Sequence, residues 1–385
     1  MRITVVAAAA AAILSIGMSQ PALGGETSTN ADRAVASYTA LQKYFYAADG
    51  SSLYAPTYPA PTEGNPYSYE WPFSQAHVAT LDLTGIRGIG PQYADDLRDR
   101  GVGQERFWNS GGGTTGVPGY DSYPRAPYGG GGDMFYDDNE WVGMEKAQQY
   151  LQTGDRAALH RAEDIFALVV SGWDTDSSHP DPGGVFWTQA TWSTDRNTVS
   201  NMPGAELGMR LYLATGKRSY LDWSRKMYEW ANTYLLAPNN LYWDHVDLAG
   251  NIEKTQWSYN QGTPIGAGVL LFEATGQRKY LQQAEKTAQG SYDFYITQGH
   301  LDGQGPTFNA IYFKNLLLLE SVTGGHKYRD AMQAYADRLW SDARDPATGV
   351  FHFNDTGTTD VIEQSSMIQI YATLAWPRGQ ARLLY

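Results

Sequence analysis

Past an apolar opening stretch, the chain reads as a succession of helix-periodic segments broken by glycine. Leu207, Leu211 and Ala214 recur at helical spacing before Gly216, and Leu221, Met227, Trp230 and Tyr234 resume it afterwards. The same short turn closes four such segments: Leu151-Gln-Thr-Gly-Asp155, Leu213-Ala-Thr-Gly-Lys217, Glu273-Ala-Thr-Gly-Gln277 and Ser321-Val-Thr-Gly-Gly325. Their threonines stand 62, 60 and 48 residues apart, and in three copies a tyrosine follows the glycine by four residues (Tyr220, Tyr280, Tyr328). A glycine after the last periodic residue is what a helix C-cap requires, so the repeating unit is a helical hairpin. Periodicity also predicts helices over 31–46, 73–83, 94–100 and 139–151.

About 360 residues at roughly 60 per hairpin give about six hairpins. Closed into a ring, they make an all-α (α/α)6 toroid with a cleft at one end, formed by the inner helices and their loops. An open solenoid fits the same period, but its repeats are shorter and more uniform. The opening stretch has its own explanation. Arg2, an alanine-rich run to Ile16 and the small-x-small pattern Ala22-Leu23-Gly24 predict a secretory signal peptide over 1–24. The run is too short to span a bilayer, and no later stretch qualifies. The expectation is a secreted protein with one domain over 25–385, free of membrane insertion and acting as a monomer.

Composition narrows the chemistry. There is no cysteine, so disulfide frameworks and thiolate metal sites are excluded. The seven histidines lack any ligand spacing, and neither a metal nor a cofactor is expected. A net charge of −13 without basic runs argues against nucleic acid and anionic membranes. Twelve Trp, 27 Tyr and 12 Phe exceed the needs of a core, and flat amphipathic rings are suited to holding sugar faces.

Two long loops stand out: the glycine-rich 111–133, and 177–197, which carries Trp187 and Trp192. The first runs into Gly131-Gly-Asp-Met-Phe-Tyr-Asp-Asp-Asn-Glu-Trp141, setting Asp137 and Asp138 at a helix start. Aspartates there serve as caps, because they accept free backbone N–H groups and suit the helix dipole. They also suit catalysis. Neighbours in mid-helix diverge by about 100°, but where the chain turns into a helix both can reach one cleft, and retaining glycosidases need two carboxyls about 5 to 5.5 Å apart. Like charges at about 5 Å repel by roughly 3 kcal/mol at an effective dielectric of about 20. That exceeds the pull of up to about 1 kcal/mol from an exposed helix N-terminus. One carboxyl then ionises while the other keeps its proton; the residues alone do not say which.

Asp137-Asp138-Asn139, the Gly183-Gly-Val-Phe-Trp187 loop, Asn201-Met-Pro-Gly-Ala205, and Trp257-Ser-Tyr-Asn-Gln-Gly262 with Pro264-Ile-Gly-Ala267 together resemble glycoside hydrolase family 76. The resemblance covers most of the chain beyond the leader. It implies an (α/α)6 endo-α-1,6-mannanase that retains anomeric configuration through a covalent mannosyl-enzyme, with Asp137 as nucleophile and Asp138 as general acid, then base. The implied partner is an α-mannan polysaccharide. Met202 and Pro203 depart from the family pattern, which bears on subsite preference.

Around that pair, Tyr136, Trp187, Asn201, Trp257, Tyr259, Asn260 and Gln261 are the candidate substrate contacts. Trp192 is a further sugar platform, Trp71 and Phe308 are additional candidates at helix approaches, and Glu206 is read as structural. The competing readings are a mannan transglycosidase using the same aspartates, a non-catalytic carbohydrate-binding toroid in which they only cap a helix, and a lyase or epimerase relying on His or Tyr.

Overall fold

A computed structural model describes residues 28–385, so the leader expected over 1–24 lies outside the described residues. The helices are α1 (Asn30–Tyr44), α2 (Glu70–Thr84), α3 (Ala94–Gln104), α4 (Tyr136–Thr153), α5 (Arg156–Ser171) and α6 (Thr198–Thr215). The second half adds α7 (Arg218–Tyr234), α8 (Tyr259–Thr275), α9 (Arg278–Ser291), α10 (Pro306–Thr323), α11 (Lys327–Asp342) and α12 (Val361–Ala375). Even-numbered helices pack in sequence around an axis, and α12 packs against α2. That last contact makes the array a closed (α/α)6 toroid rather than a solenoid. The odd helices α3 to α11 each lie outside the inner helix before them, while α1 packs on α12, so the two ends of the chain supply the sixth hairpin.

Burial follows this division. On α6 every residue from Thr198 to Leu211 is buried, as an inner helix requires, whereas α7 buries one stripe: Leu221, Ser224, Met227, Tyr228, Trp230 and Ala231. The Thr-Gly turns join inner helices to outer ones. Gly154, Gly216 and Gly276 take φ of 75°, 71° and 67°, and their N–H groups donate to the carbonyls of Tyr150, Tyr212 and Phe272. Because these turns are tight and the outer-to-inner connections long, the N-termini of all six inner helices meet at one end of the ring.

An amide clamp fixes several of the long connections. Asn139 accepts from Tyr120 N at 2.7 Å and donates to Tyr120 O and Phe135 O. Asn201 does the same with Val185 N, Val185 O and Asn197 O, and Gln261 with Tyr242 N, Tyr242 O and Trp257 O. Gln364 accepts from Phe351 N and donates to Ser37 O. Each sits in the first turn of an inner helix, and each satisfies loop groups that burial would otherwise leave unpaired.

The opposite end is filled. The segment Arg378–Leu383 and the two residues after it lie against α4 and α10, and Tyr385 is fully buried. Gln148 Oε1 accepts from Tyr385 N at 3.1 Å, and Arg210 donates to Leu384 O at 2.6 Å. The buried pair Lys314–Asp82, 2.8 Å apart, closes the axis beside them. The Tyr385 ring stacks on Trp141 with centroids 6.4 Å apart and 21° between planes. No described helix is long and apolar enough to cross a membrane.

Candidate active site

The helix carrying the acidic pair begins at Tyr136, three residues earlier than periodicity suggests, which puts Asp137 and Asp138 inside its first turn. Phe135 is the N-cap and makes no side-chain cap bond. The aspartates are thus not consumed in capping. Both open into a cleft of about 380 Å³ at the N-terminal end of the inner ring.

One wall of this cleft is aromatic. Tyr259 and Phe308 stack at 4.0 Å, Trp71 lies 6.0 Å beyond Phe308, and Trp257 meets its edge at 5.6 Å. Trp141 forms the floor between Tyr259 and Tyr385. Facing them is a polar wall of Asp195, Asn197, Asp244 and His245 with the aspartate pair. It comes from a three-stranded sheet in which Asp195–Asn197 pairs with His245–Asp247 and that strand with Ile252–Glu253. Alternation along Asp195–Asn197 turns Asp195 and Asn197 to the cleft and Arg196 away. Arg196 is fully buried and grips Asp174 and the carbonyls of Pro180 and Asp247, which fixes the 174–183 loop behind the wall.

Trp187 reaches the cleft from the next stretch. Gly183 and Gly184, at φ of 96° and 82°, lie where an added Cβ would fall 2.6 and 2.5 Å from the rings of Trp173 and Trp230, so the loop can pack this tightly only with glycine. It ends with the Trp187 indole donating to Asp137 Oδ2 at 3.2 Å. Trp192 stands at the rim, 54% exposed, and donates to Asp133 at 3.1 Å.

The electrostatics favour unequal carboxyls. Burial, followed by the Asp138 charge, pushes Asp137 well above the usual carboxylate range. The Trp187 indole pulls it back, because it donates to the ionised form. Asp138 has no such donor, and burial pushes it up to about 7. Each charge opposes the other's, so the pair ionises one carboxyl at a time, and the Trp187 indole is the contact that favours charge on Asp137. Below them Glu70 accepts from Gln104 at 2.6 Å, while neither oxygen of Glu140 has a partner. Burial raises both above the usual carboxylate range. His245 Nδ1 lies 3.0 Å from Asp244 Oδ2, a contact that raises the imidazole and favours its charged form.

Of the residues singled out in the sequence, Asp137, Asp138, Trp187, Trp257 and Tyr259 meet in the cleft, as do Trp71 and Phe308. Four do not line it, and their reading as substrate contacts gives way to a structural one. Tyr136 is buried against Gly172. Asn201 and Gln261 spend their amides on the clamps, a fate that first-turn polar residues share with ligand contacts in sequence. Asn260 lies one step behind the surface, donating to Asp244 at 3.1 Å. Glu206 pairs with Arg210 at 2.8 Å, away from the cleft, in keeping with a structural role. Asp195, Asn197, Asp244 and His245 were not found from sequence. Their strands are two or three residues long, too short for alternation to register.

The clamp role has its own measurable consequence. Asn201→Ala leaves the buried N–H and C=O of Val185 unpaired and is expected to cost about 2–4 kcal/mol of stability. Urea unfolding reads this directly; a loss below about 0.5 kcal/mol would contradict the clamp.

The Glycosyl hydrolase family 76 model matches residues 28–376. A mannan endo-1,6-alpha-mannosidase of Saccharomyces cerevisiae is 31% identical over 146 residues, 36% of this chain and 32% of that protein. A Candida albicans protein of the same description is 30% identical over 149 residues, again 36% and 32%. The matched stretch thus spans about a third of the length of these curated relatives. A family 76 glycoside hydrolase (mannosidase) from Bacteroides thetaiotaomicron aligns with a TM-score of 0.79 at 25% identity, over 90% of this chain and 98% of that one. An inactive variant of an alpha-1,6-mannanase from Salegentibacter sp., with two adjacent aspartates replaced by alanine and alpha-1,6-mannotetrose bound, aligns at 0.74 and 21% identity, over 90% and 99%. This last likeness is one of fold.

Proposed function

The chain belongs to glycosyl hydrolase family 76, and from that premise we propose a secreted, endo-acting α-1,6-mannanase that hydrolyses internal mannosidic bonds with retention. The observation that carries the reading is the adjacent pair Asp137 and Asp138 opening together into an aromatic-walled cleft, uncommitted to capping. The relatives described as mannan endo-1,6-alpha-mannosidases support the substrate. The leader pattern over 1–24 supports secretion.

In this mechanism the Asp137 carboxylate attacks the anomeric carbon as the bond to the departing O6 breaks. That oxygen takes the proton of Asp138. The mannosyl ester on Asp137 is then opened by water, whose proton passes to Asp138, restoring both groups. A sugar ring seated against Tyr259 and Phe308 would present its hydroxyls to Asp195, Asp244 and His245, which offer acceptors and a donor. A neutral polymer suits a chain of net charge −13, since nothing repels it.

Digestion of linear α-1,6-mannan, with products sized and the first-formed anomer read by proton NMR, tests the proposal. Short oligosaccharides and an initial α-anomer are expected. An initial β-anomer would overturn retention, and products longer than the starting material would assign the same intermediate to transfer instead.

A further inference from the structure

Outside the cleft, the same end of the ring carries a second recess that nothing above assigns. It measures about 480 Å³ and is lined by Tyr69, Tyr123, Tyr128 and Ser122, with Asn65 and the glycine run 129–131 among its edges. Three observations single it out. First, the exposed large aromatic side chains of the described residues are Tyr69, Trp187 and Trp192, all at the cleft end. Tyr69 is 51% exposed, with its ring braced at 5.4 Å by Tyr123 and its hydroxyl held by Asn65 at 3.0 Å. A ring held in place while facing solvent offers a fixed, amphipathic face to a ligand at little entropic cost.

Second, the floor is bare backbone. A Cβ on Gly129 would fall 2.4 Å from Pro124 O and 2.6 Å from the Tyr123 ring. The run therefore lies flat beside the tyrosines, held there by Gly131 N donating to Pro124 O at 3.0 Å. Third, the recess and the cleft share a ledge. Tyr69 is two residues from Trp71 of the cleft wall, Glu70 N donates to Ser122 O at 2.9 Å, and Ser122 N donates to the carbonyl of Asp133, the residue that Trp192 holds at the rim.

We propose that this tyrosine shelf is a distal subsite that grips the neutral polysaccharide where it leaves the cleft. The inference rests on the mannanase reading above. The shelf's lining has no charged side chain in a chain of net charge −13, so it selects an uncharged ligand. Tyrosine rings beside the polar groups of Ser122 and Asn65 match the alternating apolar faces and hydroxyls of hexose units.

The test compares kcat/KM for polymeric α-1,6-mannan with that for α-1,6-mannotriose. In Tyr69→Ala the polymer-to-triose ratio is expected to fall roughly 3- to 10-fold, the scale of one aromatic contact. Tyr69→Phe keeps the ring and the ratio, and Tyr128→Ala provides a second, independent loss. Thermal melts check that each variant folds. A wild-type ratio in both alanine variants overturns the shelf and leaves the cleft reading standing, with some other partner covering Tyr69. Failure of the unaltered protein to cleave either substrate overturns the mannanase reading, and the shelf falls with it.

Discussion

Replacing Asp137 with asparagine is expected to lower kcat on α-1,6-mannan by about 10,000-fold or more, and Asp138→Asn by about 100- to 10,000-fold. The two losses differ in kind. Asparagine at 137 keeps the size and the contact with Trp187 but cannot form the ester, so no turnover route remains. At 138 it removes the proton donor; a substrate whose leaving group needs no protonation should therefore recover much of its rate. Binding of a short oligosaccharide, measured by calorimetry, should persist in both variants. The comparison also separates catalysis from a capping role. Asparagine is as good a helix cap as aspartate, so a purely structural pair would tolerate either change without loss of activity.

The second large effect is on pH dependence. Asp138 must donate a proton, and burial lifts it from the ordinary aspartate range to about 7. The acid form prevails below that value and is lost above it, so kcat/KM is expected to fall about tenfold per pH unit on the alkaline side of about pH 7. An unperturbed aspartate would place that limb some three units lower. The two carboxyls titrate as a coupled pair, so the acidic limb reports the pair's first ionisation rather than either residue alone. Initial rates at substrate well below KM, taken from about pH 5 to pH 9, give the profile. A flat response to pH 9 would remove Asp138 as the acid.

The ring was legible in sequence because its turns obey a strict local rule. A helix ended by a positive φ favours glycine, so Gly154, Gly216 and Gly276 declare the hairpins without any knowledge of packing. Closure was less visible, since it depends on α12 meeting α2 across nearly the whole chain. Helix starts are hidden in the sequence where proline or the acidic pair disguises the first turn: α2 begins at Glu70, ahead of Pro72, and α4 at Tyr136. The acidic pair stood out by its setting. The polar wall did not, because Asp195 and His245 come together only when two strands of three residues pair across 50 positions of sequence. Asn201 and Gln261 show the opposite error. Their motif is conspicuous, but an amide at a helix start serves a loop backbone as readily as a sugar hydroxyl, and only the coordinates of Val185 and Tyr242 decide between them.

The buried Tyr385 ring beneath Trp141 makes the cleft a dead end. A sugar strand cannot be threaded through the toroid from one mouth to the other, as a processive tunnel would require. On the proposed reading, the strand is laid across a single opening and cut there, and both fragments back out the way it came in.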